Sequence, residues 1–224
     1  MEEYSWLKNI FDNDAVKITD KQKSVIKAAI ELFSEKGYAA ASTREIAQKA
    51  GVSEASVFKL FPTKKDLMLW ITERIIKTAL FPFVLSGIQE LLEKSYKNRE
   101  DFFIAFLENR INLIQEGLPL FKILIQEIPF QPEIRAMLFE QFKKMPLKKI
   151  AEKLNMIQTN FAEIKSDFNE TDIIKIVISC ISGFFVFRVM MFPEIFPESQ
   201  IKNDAEILAR FISRGLTNTK EKDL

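Results

Sequence analysis

Residues 43–65, TREIAQKAGVSEASVFKLFPTKK, set two short apolar-faced segments on either side of a glycine, and this restricts how the chain can turn. Ala47 is small enough for a following helix to cross close to its backbone. Gly51, four residues on, accepts the positive φ that a tight turn requires. Val57, ten residues after Ala47, points back and locks the second helix on the first. Such a unit is a helix-turn-helix, and its second helix suits a DNA major groove.

The flanks extend the pattern. Val25, Ala28, Ala29, Leu32 and Phe33 form one apolar stripe of a helix over 20–36, which Lys36-Gly37 ends. Ser42 and Glu45 have capping-box spacing at the start of a second helix over 43–50, which Gly51 closes. A third, over 54–60, follows Ser53 and stops at Pro62; Thr63 and Asp66 open a fourth that runs toward Leu80. Phe81-Pro82 predicts a break or kink. Further helices fit 84–96, 100–116, 118–128, 131–158, 170–191 and 202–216, with Pro146 expected to kink or split the fourth of these. No stretch alternates like a strand, so the fold class is all-α.

Charge singles out the same region. From Lys17 to Lys77 there are 12 Lys/Arg against 7 Asp/Glu, whereas 78–224 carries 19 against 20. The chain has no histidine, which removes imidazole acid–base catalysis, His-dependent nucleophiles and imidazole zinc sites. It holds no clustered nucleophile–base pair either, so an enzyme is disfavoured, and no cofactor or metal is expected. Cys180 is alone and forms no disulfide within the chain, which fits the cytoplasm. The N-terminal MEEYSWLKNIFDND has no apolar core of a secretory signal. The longest uncharged apolar run, Ile176–Phe187, is 12 residues, a length that suits a buried helix and not a membrane span.

Segment 25–67 resembles the N-terminal domain of the TetR/AcrR family of transcriptional repressors. The matching pieces are Ala28-Ala29, Leu32-Phe33, Gly37-Tyr38, Ile46-Ala47, Ala50-Gly51-Val52-Ser53, Phe58 with Phe61, Lys64 and Leu67. The resemblance implies a homodimer whose third helices enter successive major grooves of a palindromic operator, and a small molecule that releases the DNA by a population shift. It also implies a layout: an N-terminal extension over 1–18, the helix-turn-helix domain over 19–66, an effector-binding and dimerisation domain over 67–218, and a tail over 219–224. Two positions depart from the family. Phe58-Lys59-Leu60-Phe61 stands where Tyr-x-His-Phe is usual, so Phe58 lacks the phosphate-contacting hydroxyl and Lys59 is left to supply charge. Gln22 stands where an arginine is common, flanked by Lys21 and Lys23.

Candidate DNA contacts follow from exposed positions at helix starts. Ser42, Thr43 and Arg44 suit a phosphate, although Ser42 serves equally as a plain cap. Ser53, Glu54, Ala55, Ser56 and Lys59 form the exposed side of the third helix. There Ala55 can touch a thymine methyl and Glu54 can accept from a cytosine amine, or merely favour the helix dipole. Lys64 and Lys65 read as phosphate clamps or as solvated surface. The arm carries only Lys8 against four acidic residues, so docking of the Tyr4, Leu7 and Phe11 face on protein is expected instead of minor-groove binding.

Phenylalanines and methionines crowd residues 100–146. Phe103, Phe106, Phe121, Leu124, Met137, Phe142 and Met145, with Arg110 and Gln126 for polar orientation, are candidates for an apolar or amphipathic effector pocket; ordinary bundle core is the alternative for any one of them. Ser179 and Gly183, four apart, allow close helix approach. With Phe187, Met190 and Phe211 they form a candidate dimer face, an intramolecular core helix being the alternative. An architectural or cell-division DNA-binding factor and an activator remain rival functions.

Overall fold

The computed structural model describes residues 11, 18–146, 148–149, 152, 170–192, 194–195 and 197–216. Among them every regular element is helical. In chain order these are α1 (Asp20–Ala40), α2 (Thr43–Lys49), α3 (Glu54–Leu60), α4 (Lys64–Arg74), α5 (Phe81–Glu93), α6 (Arg99–Glu116), α7 (Leu118–Glu127), α8 (Pro132–Phe142), α9 (Glu170–Val186) and α10 (Ile201–Gly215).

Local chemistry sets the first boundaries. Thr19 accepts from the Gln22 N–H at 3.2 Å, and Gln22 Oε1 accepts from the Thr19 N–H at 2.9 Å, a reciprocal cap on α1. Ser42 with Glu45 and Thr63 with Asp66 repeat that arrangement on α2 and α4, while Ser53 caps α3 alone. Gly37 (φ 83, ψ 158) breaks the helical path of α1, a conformation an L side chain avoids, and Gly51 (φ 68) makes the turn.

Pro82 does not break the chain. The backbone widens into π-turns over Ile75–Leu80, with Phe81 N–H donating to Ile76 O, and α5 follows without interruption. A widened turn relieves the ring's clash with the carbonyl four residues back, so the expected kink becomes a bulge. In the window 131–158, which Pro146 is expected to kink or split, α8 ends at Phe142 in a turn through Lys143 and Lys144. Most of the remaining window, like the arm before residue 18 and the tail after 216, lies outside the described residues.

The chain divides into two compact units. The first joins Met1–Val84 to Leu113–Lys144. Its core is Val25, Ile26, Ala29, Phe33, Ile46, Val57, Leu67 and Ile71, all essentially excluded from water. Each large apolar side chain so buried stabilises the unit by roughly 1.5–3 kcal/mol. In this unit α1 packs along α7, and α4 packs against α8. The second unit joins Leu85–Asn112 to Met145–Leu224. Its core includes Phe102, Phe103, Leu107, Phe185, Ala209 and Ile212. Arg188, at the end of α9, pairs with Asp204 and donates to Pro197 O at 2.9 Å, fixing the start of α10.

Candidate nucleic-acid interface

The first three helices bring the expected polar residues to neighbouring helix starts, and many of those residues bond to one another. Thr43 Oγ1 donates to Glu54 Oε1 at 2.6 Å, joining the first turn of α2 to that of α3. Ser56 lies 2.8 Å from Ser53 Oγ and accepts from Lys21 Nζ at 2.9 Å. Lys21 was not among the candidates, yet its ammonium stands beside the exposed side of α3. Its position next to Gln22 was the available signal; Lys23, the other flanking lysine, lies beside the Phe11 ring instead. Arg44, Ala55, Phe58 and Lys59 are exposed.

The two lysines that open α4 are held within the unit. Lys64 Nζ donates at 2.8 Å to Tyr38 O and at 2.8 Å to Ala41 O, and it sits 4.3 Å from the Tyr38 ring centroid. It thereby supplies donors to carbonyls left open at the end of α1. Burial pushes the Tyr38 hydroxyl above its ordinary range. Lys65 pairs with Glu133 of α8 at 2.7 Å, a bond that holds Lys65 above and Glu133 below their usual ranges. Three backbone carbonyls hold the Lys64 ammonium, whereas Lys65, half exposed with one carboxylate partner, keeps N–H donors for a further acceptor.

Other cations are paired as well. Lys36 bonds Glu45, and Lys49 bonds Glu31 at 2.7 Å, clasping α1 to α2. The Lys36 bond, reinforced by Ser42, lowers the Glu45 carboxyl to about 2. Pairing within the segment leaves its net positive excess in place, and Arg44, Lys59 and Lys21 are exposed cations of the head. The Phe11 ring lies 6.0 Å from Lys23 Nζ and 5.8 Å from Lys27 Nζ, so this one described residue of the arm docks on α1.

The candidate effector residues are distributed over both compact units. Phe121, Leu124, Gln126, Met137 and Phe142 belong to the first; Phe103, Phe106, Arg110 and Met145 belong to the second. Leu124 and Phe103 are buried core. Phe142 is exposed, its ring 6.0 Å edge-on to Phe81. Gln126 Oε1 is buried without a hydrogen bond beside the Gly37 backbone, where a Cβ would come within 3.7 Å. Arg110 is also buried, and Phe106 lies against its guanidinium at 5.2 Å.

On the candidate dimer face, Phe187 is 48% and Phe211 69% exposed, with Met191, Phe192 and Ile207 exposed beside them in sequence. Ser179 is exposed, and a Cβ built on Gly183 would meet no described residue within 4 Å. Met190 lies in the π-turns after α9, and its side chain is outside the described set.

Two helices meeting at a positive-φ glycine, with a third helix start bonded to them and exposed cations alongside, define a helix-turn-helix regulator. The pattern of bacterial regulatory proteins of the tetR family matches residues 25–71. Residues 25–71 are therefore similar to the regulatory proteins of that family. The chain is 26% identical over 193 residues to the HTH-type transcriptional regulator YvkB of Bacillus subtilis, covering 85% of this chain and 94% of the relative. Similar folds include FadR of Bacillus subtilis in complex with stearoyl-CoA (TM-score 0.60, 18% identity, 86% and 97% of the two chains). NalD, the secondary repressor of the MexAB-OprM multidrug efflux pump in Pseudomonas aeruginosa, is another (TM-score 0.56, 19% identity, 88% and 96%). Among the described residues, no helix is long and apolar enough to cross a membrane.

Proposed function

We propose that the protein is a cytoplasmic, homodimeric repressor that binds a palindromic operator and is released by a small apolar or amphipathic effector. The exposed α3 face carries this reading. Ala55 and Lys59 meet base edges and phosphates, Arg44 and Lys21 contact phosphate on either side, and Ser42, Ser53 and Ser56 offer hydroxyls. Thr43 and Glu54 bond to each other, so Glu54 orients the start of α3 and reads a cytosine only if that bond opens. Lys64 and Lys65 brace the head. Phe58 supplies apolar contact where a tyrosine hydroxyl is usual.

Two copies join through α9 and α10. A monomer that left Phe187, Met191, Ile207 and Phe211 in water would carry an apolar surface suited to an interface. The helix α6 supports effector coupling. It bears Arg110 in the second unit and ends with Leu113–Glu116 in the unit that contains the head. A ligand that binds one placement of α6 better than another shifts the heads by that difference in affinity.

The decisive experiment is footprinting of the DNA upstream of the protein's own gene, followed by a compound screen. A palindromic protected site that a compound abolishes is the expected result. Protection that no compound relieves would favour an architectural factor.

A further inference from the structure

Helix α6 carries a buried arginine that has no counter-ion among the described residues. Arg110 is only 7% exposed and its Nε makes no hydrogen bond. Its Nη2 donates to the adjacent Asn109 Oδ1, and its guanidinium rests on the Phe106 ring. Among the described residues, none of the ion pairs brings a carboxylate to it. Burial lowers its pKa to about 10, which still leaves it charged at neutral pH. A buried charge without a counter-ion is destabilising, and an aromatic face with one amide offsets only part of that cost.

The opposite helix makes room for this arrangement. A Cβ on Gly87 of α5 would stand 2.7 Å from Arg110 Nη2 and 2.6 Å from Asn109 Oδ1. Glycine therefore lets the guanidinium and the amide lie on the α5 backbone. The same two helices carry buried apolar residues along their length: Ile88 and Leu91 on α5, Phe103 and Leu107 on α6.

We infer that this position takes the anionic head of an amphipathic ligand, with Arg110, steadied by Asn109 over Gly87, as counter-charge for a carboxylate or phosphate whose apolar chain follows α5 and α6. The inference deepens the effector-responsive function proposed above and rests on it for its regulatory meaning. A planar guanidinium with a free N–H edge suits a two-oxygen acceptor better than a hydroxyl. The apolar neighbours select a chain in place of a sugar or a nucleotide.

Calorimetric titration of the full-length protein with decanoate, decyl phosphate and 1-decanol tests it. At least one anion should bind about tenfold more tightly than the alcohol, a difference of about 1.4 kcal/mol. Arg110→Gln should bring both anions down to the affinity of 1-decanol, and Gly87→Ala should weaken them by displacing the guanidinium. The preferred anion distinguishes carboxylate from phosphate. Equal affinity of the wild type for all three probes, failure of both anions to bind, or a preference that survives Arg110→Gln overturns the inference. The wild-type comparison decides even if a variant fails to fold. The regulatory reading fails separately, when an anion binds through Arg110 and operator DNA stays bound. It survives alone when a neutral compound releases DNA and neither anion binds.

Discussion

The head and the second unit treat polar and apolar groups in opposite ways. In the head, Lys36, Lys49, Lys64 and Lys65 each have an oxygen partner within the same unit, and the large apolar residues of the three helices are mostly buried. In the second unit, Arg110 lacks a counter-ion among the described residues, and Phe187 and Phe211 face water. The head is thus complete within one chain, while the second unit has features that a ligand and a second copy would complete. A DNA-reading surface has to keep one geometry, whereas a sensing and dimerising unit has to respond to what it binds.

The largest expected effect breaks the second half of that comparison. Gly183→Leu has room among the described residues, none of which lies within 4 Å of its Cβ position, but would collide with a close partner helix. Sedimentation should show a folded monomer with operator binding almost lost; an undisturbed dimer would mean that α9 is not the interface. Within the head, Gly37→Ala forces a side chain into a conformation with φ 83 and ψ 158 and should lower unfolding stability by about 2 kcal/mol in a urea melt. An unchanged midpoint would show that the break in α1 relaxes freely.

Lys64→Ala removes the donors that close α1 and should lower stability by about 1.5 kcal/mol in the same melt. The smallest effect is on pH. Because the folded Glu45 carboxyl is lowered to about 2 from 4.5, it adds stability above pH 4.5 that is lost as pH falls toward 2. Glu45 is on the surface, so the contribution is modest and screened by salt. Glu45→Gln should flatten the acid limb of a stability–pH profile; an identical limb would show that other carboxylates set it.

The reach of the sequence differed between the same two regions. Caps, glycines and apolar stripes are local signals, so α1 to α4 fall within a few residues of where spacing puts them, and Thr19, Ser42 and Thr63 cap as residues of their type should. What an ammonium group contacts is not local. Lys64 and Lys65 look alike in sequence, yet one reaches carbonyls about 25 residues back and the other a carboxylate 68 residues on. Pro82 was misleading for the same reason, since a widened turn upstream absorbed its ring. Arg110 stood out as a charge on an apolar stretch, but only the approach of Gly87 gives that charge a setting. Phe103 and Leu124, equally apolar in sequence, are core.

That outward cations on α1 to α3 hold DNA, while Lys64 of α4 holds the head, is tested most directly by the salt dependence of operator binding. Fluorescence anisotropy across a salt series should give a log–log slope shallower by about three to four for Arg44→Ala plus Lys59→Ala, which removes four cationic contacts from a dimer. Lys64→Ala should keep the wild-type slope. A double variant with an unchanged slope, or a slope that falls with Lys64→Ala instead, would contradict the account.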